Sequence, residues 1–200
     1  MVLVGYGIQP NTDFLVKSTV DLQDDGSILV DPFLQTNDKS IFAAGDVATF
    51  PYWVTGERAR VEHYINAFNQ GCYAAFNMLG KLTPYGNVPF CWTRHYNKSM
   101  QFVGYAPSFD KVYIDGSLAD QKFIAYYIKG PKILAVAGMG RSSDVLTMMQ
   151  AMESNSMPVA EDIVNGVETP VSVRAKLAKR PGQGKCKREG CCQKKPVLKP

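Results

Sequence analysis

The rhythm of apolar and polar positions changes near residue 84. Before it, short apolar runs stand between polar, glycine-bearing loops. Val2-Leu3-Val4 reads as a buried strand, as if the sequence began inside a sheet. Ile28-Leu29-Val30 reads as a short strand entered through the turn Asp24-Asp25-Gly26-Ser27. Ile41-Phe42-Ala43-Ala44 is apolar without alternation, the pattern of a strand covered on both faces, and it ends abruptly in Gly45-Asp46. An aromatic loop, Phe50-Pro51-Tyr52-Trp53, follows. Residues 66–79 predict a helix stopped by Gly80. Ala67, Gly71, Ala74, Ala75 and Met78 give that helix a small-residue face for close packing.

Beyond 84–89 the pattern is that of strands: 90–96, 99–105, 111–114, 122–129 and 132–137. Asn97-Lys98, Asp115-Gly116 and Gly130-Pro131 supply turns between them. Helices are predicted over 141–152 and 158–165. Sequential antiparallel strands followed by helices indicate an α+β domain. From about 166 the periodicity fades into a Lys-, Pro- and Gly-rich extension, expected to be disordered.

Composition adds little to this and excludes more. Hydrophobic content of 46% with 20% charge belongs to a core-forming chain. No apolar run approaches the roughly 18 residues of a membrane span. The N-terminus lacks the form of a secretory signal, which leaves a cytoplasmic or mitochondrial location. The net charge of +4 is misleading, because residues 176–200 hold nine Lys/Arg and one Glu, and the rest of the chain carries −4. Such a body gives no reason to expect nucleic-acid binding. Cys72 and Cys91 lie in apolar contexts and read as core residues.

The chemistry concentrates at Gly45-Asp46. Gly45 lets the backbone turn and lets something approach closely. Asp46 then stands at a strand's C-terminal edge, where α/β sheets place ligands. Its carboxylate either accepts hydrogen bonds from a polyol or caps the next turn. Gly5 and Gly7 suggest a dinucleotide fingerprint, but Pro10 holds the third glycine position. Cys186-x₄-Cys191-Cys192 in the basic extension is either a thiol shuttle on an arm, with neighbouring cations lowering a thiol pKa, or an inert tail.

An ordered set of motifs carries a resemblance. It runs Gly5-x-Gly7-x-x-Pro10-Asn11-Thr12, Ile28-x-Val30-Asp31, Thr36-x-x-x-x-Ile41-Phe42-Ala43-Ala44-Gly45-Asp46-Val47, then Arg60-Val61-Glu62-His63 and Ala67-x-x-Gln70-Gly71. The chain resembles the C-terminal portion of the FAD-dependent pyridine nucleotide oxidoreductases, within them the apoptosis-inducing factor and ferredoxin reductase family. Val88-Pro89-Phe90-Cys91-Trp92-Thr93, Lys98-Ser99 and Gly104-Tyr105 are similar to its Rieske-bearing, mitochondrion-associated branch. The family's first FAD fingerprint, most of its NAD domain and the Rieske ligands have no counterpart in this sequence.

The resemblance implies a fold class of α/β plus α+β: a partial FAD/NAD(P)-binding, Rossmann-like domain followed by an antiparallel reductase or interface domain. Residues 1–10 would be a remnant of the NAD(P) domain, 11–82 the second half of the FAD domain, 83–165 the C-terminal domain and 166–200 a tail. The cofactors implied are FAD and NAD(P)H. The acceptor would be a redox protein or a small molecule, and a homodimer is compatible. Gly45 and Asp46 would meet the ribityl chain of FAD. Glu62 and His63 would line the flavin site, unless they form an exposed helix entry. Ala67 and Gly71 would leave room for the ring system. Trp92 would stand near that ring, unless it is a core residue. No catalytic acid, base or metal ligand is implied, because the cofactors carry the chemistry. The alternative is a non-catalytic interface module derived from the family.

Overall fold

A computed structural model describes residues 1–179 of the 200. Its core falls into two clusters. The first unit has three short strands, β1 (Ile28–Leu29), β2 (Ala48–Pro51) and β3 (Arg58–Ala59), and the helix α1 (Tyr64–Met78). β1 and β2 pair in parallel, and β3 runs antiparallel to β2. Leu34, Ala48, Phe50 and Tyr52 are sealed inside, and Phe50 and Tyr73 meet the Tyr85 ring edge-on at 5.3 and 5.2 Å. Edge-to-face contact of this kind adds to the area buried.

The second unit is a five-stranded antiparallel sheet in the order β4-β5-β8-β7-β6. Its strands are β4 (Phe90–His95), β5 (Lys98–Gly104), β6 (Lys111–Ser117), β7 (Lys122–Lys129) and β8 (Lys132–Met139). The helices α2 (Ser142–Glu153), α3 (Ala160–Val164) and α4 (Pro170–Ala178) follow. Val103, Ile124, Tyr126 and Val136 pack with Val145, Met148 and Ala151 of α2 and Val173 of α4. Val54 packs against both clusters, and Tyr52 touches Tyr105 across the units at 6.1 Å.

The mixed architecture with an antiparallel second half is the one expected. Four elements depart from expectation. Ile41–Ala44 is not a strand: it makes the single bridge Gln35↔Phe42, and Ile41 is 38% exposed. A strand inside a sheet needs a neighbour on each side, and among the described residues this stretch pairs only with residues 34–36; the parallel partner of β1 is instead β2. Val2, Leu3 and Val4 are exposed and unpaired for the same reason. Asp115-Gly116 is no turn but the end of β6, where Gly116, at φ 106°, leaves its missing Cβ as room for the Lys122 carbonyl. Helix α4 stands where periodicity was expected to fade. Thr169 caps it, Ser172 returns the bond to the Thr169 N–H, and Pro170 opens it. Arg174 ties it to α2 through Thr147, the Ser143 carbonyl and Asp144.

The small-residue face of α1 is only in part the inward one, with Ala74 buried and Ala67 half-buried. The buried side is Asn66, Gln70, Tyr73, Ala74 and Asn77, while Gly71, Ala75 and Met78 are exposed. Cys72, expected in the core, is exposed; Cys91 is half-buried, and burial pushes its thiol pKa up. The buried amides serve the backbone of the segments packed on the helix: Asn66 and Asn77 donate to the Val61, Phe33 and Thr83 carbonyls, and Gln70 accepts the Gly45 N–H. The tail cysteines Cys186, Cys191 and Cys192 lie outside the described residues. No described helix is long and apolar enough to cross a membrane.

Candidate functional site

Gly45 opens a tight turn. Its φ of 87° suits glycine, and its carbonyl accepts the Ala48 N–H at 3.0 Å. A Cβ on Gly45 would stand 3.4 Å from the Ala67 Cβ, so the turn lies against the first turns of α1. The Gly45 N–H donates to Gln70 Oε1 at 2.7 Å, and Gln70 is fully buried. Gln70 Nε2 has no hydrogen-bond partner among the described residues.

Asp46 behaves unlike the other turn aspartates. Asp25 accepts the Ser27 N–H and hydroxyl, Asp31 accepts from Phe33 and Gln35, and Asp38 accepts from Ser40. The half-buried Asp46 carboxylate caps nothing among the described residues; only its carbonyl is used, by Arg60 Nη1 at 3.3 Å. Arg60 also holds Glu62 at 2.7 Å and Asp25 at 3.0 Å. Its charge is therefore spent on its neighbours, and Asp46 keeps a free anionic acceptor at the end of the turn. The Ser27 hydroxyl and N–H, with Arg60 beside them, hold the Asp25 carboxyl below its ordinary value.

His63 occupies the N-cap position of α1 with extended backbone, and no side chain caps the helix. Its Nδ1 is buried without a hydrogen-bond partner among the described residues. The first turn holds no acidic residue, so its N–H groups keep their positive end of the helix dipole. The structure thus gathers Gly45, Asp46, Ala67 and Gln70 around the start of α1, with His63 at its cap. Glu62 is exposed and turned toward Arg60. Trp92 stands on β4, the strand that α1 passes, with 61% of its surface exposed. Sequence reasoning missed Gln70 and Arg60 as parts of the site. The signal for Gln70 was present: Asn66, Gln70 and Asn77 fall on one helical face made of amides rather than charges.

The family described as pyridine nucleotide-disulphide oxidoreductase matches residues 1–71, and the one described as reductase C-terminal matches residues 90–170. The first part of the chain is thus similar to the pyridine nucleotide-disulphide oxidoreductases, and the second to the reductase C-terminal family. Apoptosis-inducing factor 3 of Homo sapiens is 39% identical over 153 residues, 76% of this chain and 25% of that protein. Putidaredoxin reductase CamA of Pseudomonas putida is 28% identical over 171 residues, 86% of this chain and 40% of that protein. The solved ferredoxin reductase for the CYP199A2 system from Rhodopseudomonas palustris superposes with a TM-score of 0.71 at 30% identity, covering 79% of this chain and 39% of its own. The chain therefore spans between a quarter and two fifths of the length of these relatives.

Proposed function

We propose that the chain is the flavin-facing and C-terminal part of an oxidoreductase that passes electrons from NAD(P)H through FAD to a ferredoxin-type redox protein or a small acceptor. Residues 1–10, 11–82 and 83–165 then belong to the NAD(P), FAD and interface domains of such an enzyme. The observation that carries the reading is the free carboxylate of Asp46, held at a glycine turn against the start of an uncapped helix. The buried, unpartnered His63 Nδ1 and Gln70 Nε2 supply further polar contacts of the kind a polyol and a heteroaromatic edge require. FAD, when bound, supplies the hydride and electron chemistry. The protein's part is to hold it. Asp46 accepts from a ribityl hydroxyl, Ala67 and Gly45 leave room, and the N–H groups at the start of α1 favour negative charge on the ring's polar edge. Glu62 and Trp92 form the margin of this site in the same proposal. A homodimer belongs to the same proposal, as does a cytoplasmic or mitochondrial location, which cell fractionation checks.

The interface-module reading is favoured by one feature, the shortness of the first sheet, whose strands have two, four and two residues. Titrating FAD into the chain separates the two. Binding that weakens roughly tenfold to hundredfold in Asp46→Ala, with an unchanged melting midpoint, supports the flavin site; the lost charge-assisted bond is worth ~1.5–3 kcal/mol. No binding by the unsubstituted chain favours the interface module. Unchanged affinity with a lowered midpoint would return Asp46 to a turn residue.

A further inference from the structure

The five-stranded sheet ends in a strand with a free edge. β6 pairs with β7 on one side and with no other described strand. An unpaired edge presents a row of N–H and C=O groups ready to accept another strand. The first five residues of β6 are Lys111-Val112-Tyr113-Ile114-Asp115, and they are complementary to their own reverse. Antiparallel pairing about a two-fold axis through Tyr113 puts Lys111 opposite Asp115, Val112 opposite Ile114 and Tyr113 opposite Tyr113. Opposite charges in directly facing positions stabilise such a pair, and like charges destabilise it. A slip of one residue would set the apolar side of one copy against the polar side of the other.

The side chains are disposed for this register. Val112 and Ile114 are 39% and 40% exposed and lie across β7 from Tyr127 and Ala125, on the sheet face away from the helices. Lys111, Tyr113 and Asp115 alternate onto the helix side, where Tyr113 stacks on Tyr126 at 6.1 Å. The Lys111 ammonium is exposed and has no ion-pair partner among the described residues. Asp115 gives one carboxylate oxygen, Oδ2, to Arg141 at 2.7 Å, and its side chain remains 42% exposed. Arg141 also donates to the Asp115 carbonyl, whose second lone pair stays available. We propose that β6 docks against β6 of a second copy of this chain, making one continuous antiparallel sheet with two Lys111–Asp115 pairs. The pairing deepens the homodimer reading and uses no atom of the Gly45 site, so it stands or falls apart from flavin binding.

An edge lysine is also a common guard against strand pairing, and experiment separates the roles. The contact is smaller than a standard interface, so the dimer is expected to be weak. Sedimentation equilibrium of the full 200-residue chain, from about 5 μM to about 500 μM, should show a monomer–dimer equilibrium. Lys111→Glu, which faces Asp115 with a like charge twice, should weaken it at least about tenfold. Lys111→Asp combined with Asp115→Lys should restore it. A chain that stays monomeric throughout overturns the proposal, as does a dimer indifferent to Lys111→Glu. If the double variant melts early, amide exchange on the unsubstituted chain decides. Protection at Val112–Ile114 that rises with concentration supports the pairing, and concentration-independent exchange refutes it.

Discussion

The N–H of Gly45 and the Oε1 of Gln70 are joined at 2.7 Å, so a turn is fastened to a helix twenty-five residues further along the chain. The bond fixes where the Gly45–Val47 turn sits relative to α1, and therefore where the Asp46 carboxylate stands. Gln70 is fully buried, so removing its amide leaves the Gly45 N–H without a partner and without water.

Gln70→Leu should lower stability by about 1–3 kcal/mol. For a chain of this size that is a melting shift of roughly 2–10 °C. Gln70→Glu keeps the acceptor, and in mild acid, where a carboxyl buried at this position is protonated, it should retain most of the stability if Gly45 is the partner that matters. A glutamate variant that falls as far as leucine would show that the unpartnered Nε2, and not the bond to Gly45, is what the fold uses.

Acid should loosen the Asp25–Arg60 corner. The Ser27 hydroxyl and N–H depress the Asp25 pKa on folding, burial opposes them in part, and Arg60 adds to the lowering. A depressed carboxyl contributes stability that is complete above its unfolded pKa and is lost as pH falls through the folded value. Asp25→Asn removes that contribution. The melting gap between the parent and Asp25→Asn should be widest near neutrality and close below the ordinary carboxylate range, about pH 4. A gap that stays constant from neutrality into acid would assign the loss to packing instead.

What could be read in advance differed by element. β7 and β8 were legible because their apolar runs are bounded by Lys122, Lys132 and the Gly130-Pro131 turn, and their cover comes from helices close in sequence. β2 was not, because Pro51 and the aromatic run around it look like loop, while Ile41–Ala44 draws attention by its apolarity. Apolarity reports what a segment prefers, and pairing depends on which neighbours are present. Helix α4 was hidden by composition: the Lys and Pro content outweighed Thr169-Pro170-Val171-Ser172, a start signal four residues long. At the site, Gly45 and Asp46 were legible from the turn itself. Gln70 was not singled out, since its role depends on which face of α1 meets the turn. The free state of the Asp46 carboxylate is a statement about missing contacts, which only coordinates supply.

The far end of α1 offers a sharper use of pH. Asn77 is 5% exposed and makes three bonds to backbone: Nδ2 donates to the Phe33 carbonyl at 2.7 Å and to the Thr83 carbonyl at 3.0 Å, and Oδ1 accepts the Thr83 N–H at 2.6 Å. It fastens the loop after β1 and the segment leaving α1, where Leu82 sits at a positive φ of 36°. Asn77→Ala strands all three backbone groups and should cost about 2–4 kcal/mol, below the sum of the separate penalties because the freed segment relaxes. Asn77→Asp is nearly the same shape but turns both donors into an acceptor. Ionised, it faces two carbonyl oxygens in a buried place, so its folded pKa must lie above the unfolded value. Protonated, it regains one donor. Stability carried by a group with a raised folded pKa is present below the unfolded pKa and is lost as pH rises through the folded one. Asn77→Asp should therefore lie close to the parent chain in mild acid and fall toward Asn77→Ala at alkaline pH. Denaturant midpoints of the three proteins at about pH 4 and about pH 8 measure this directly. A deficit in Asn77→Asp that is equal at both values would mean that the amide donors of Asn77 do not hold the loop, and that the helix end is fixed by packing around Tyr73 and Tyr85 alone.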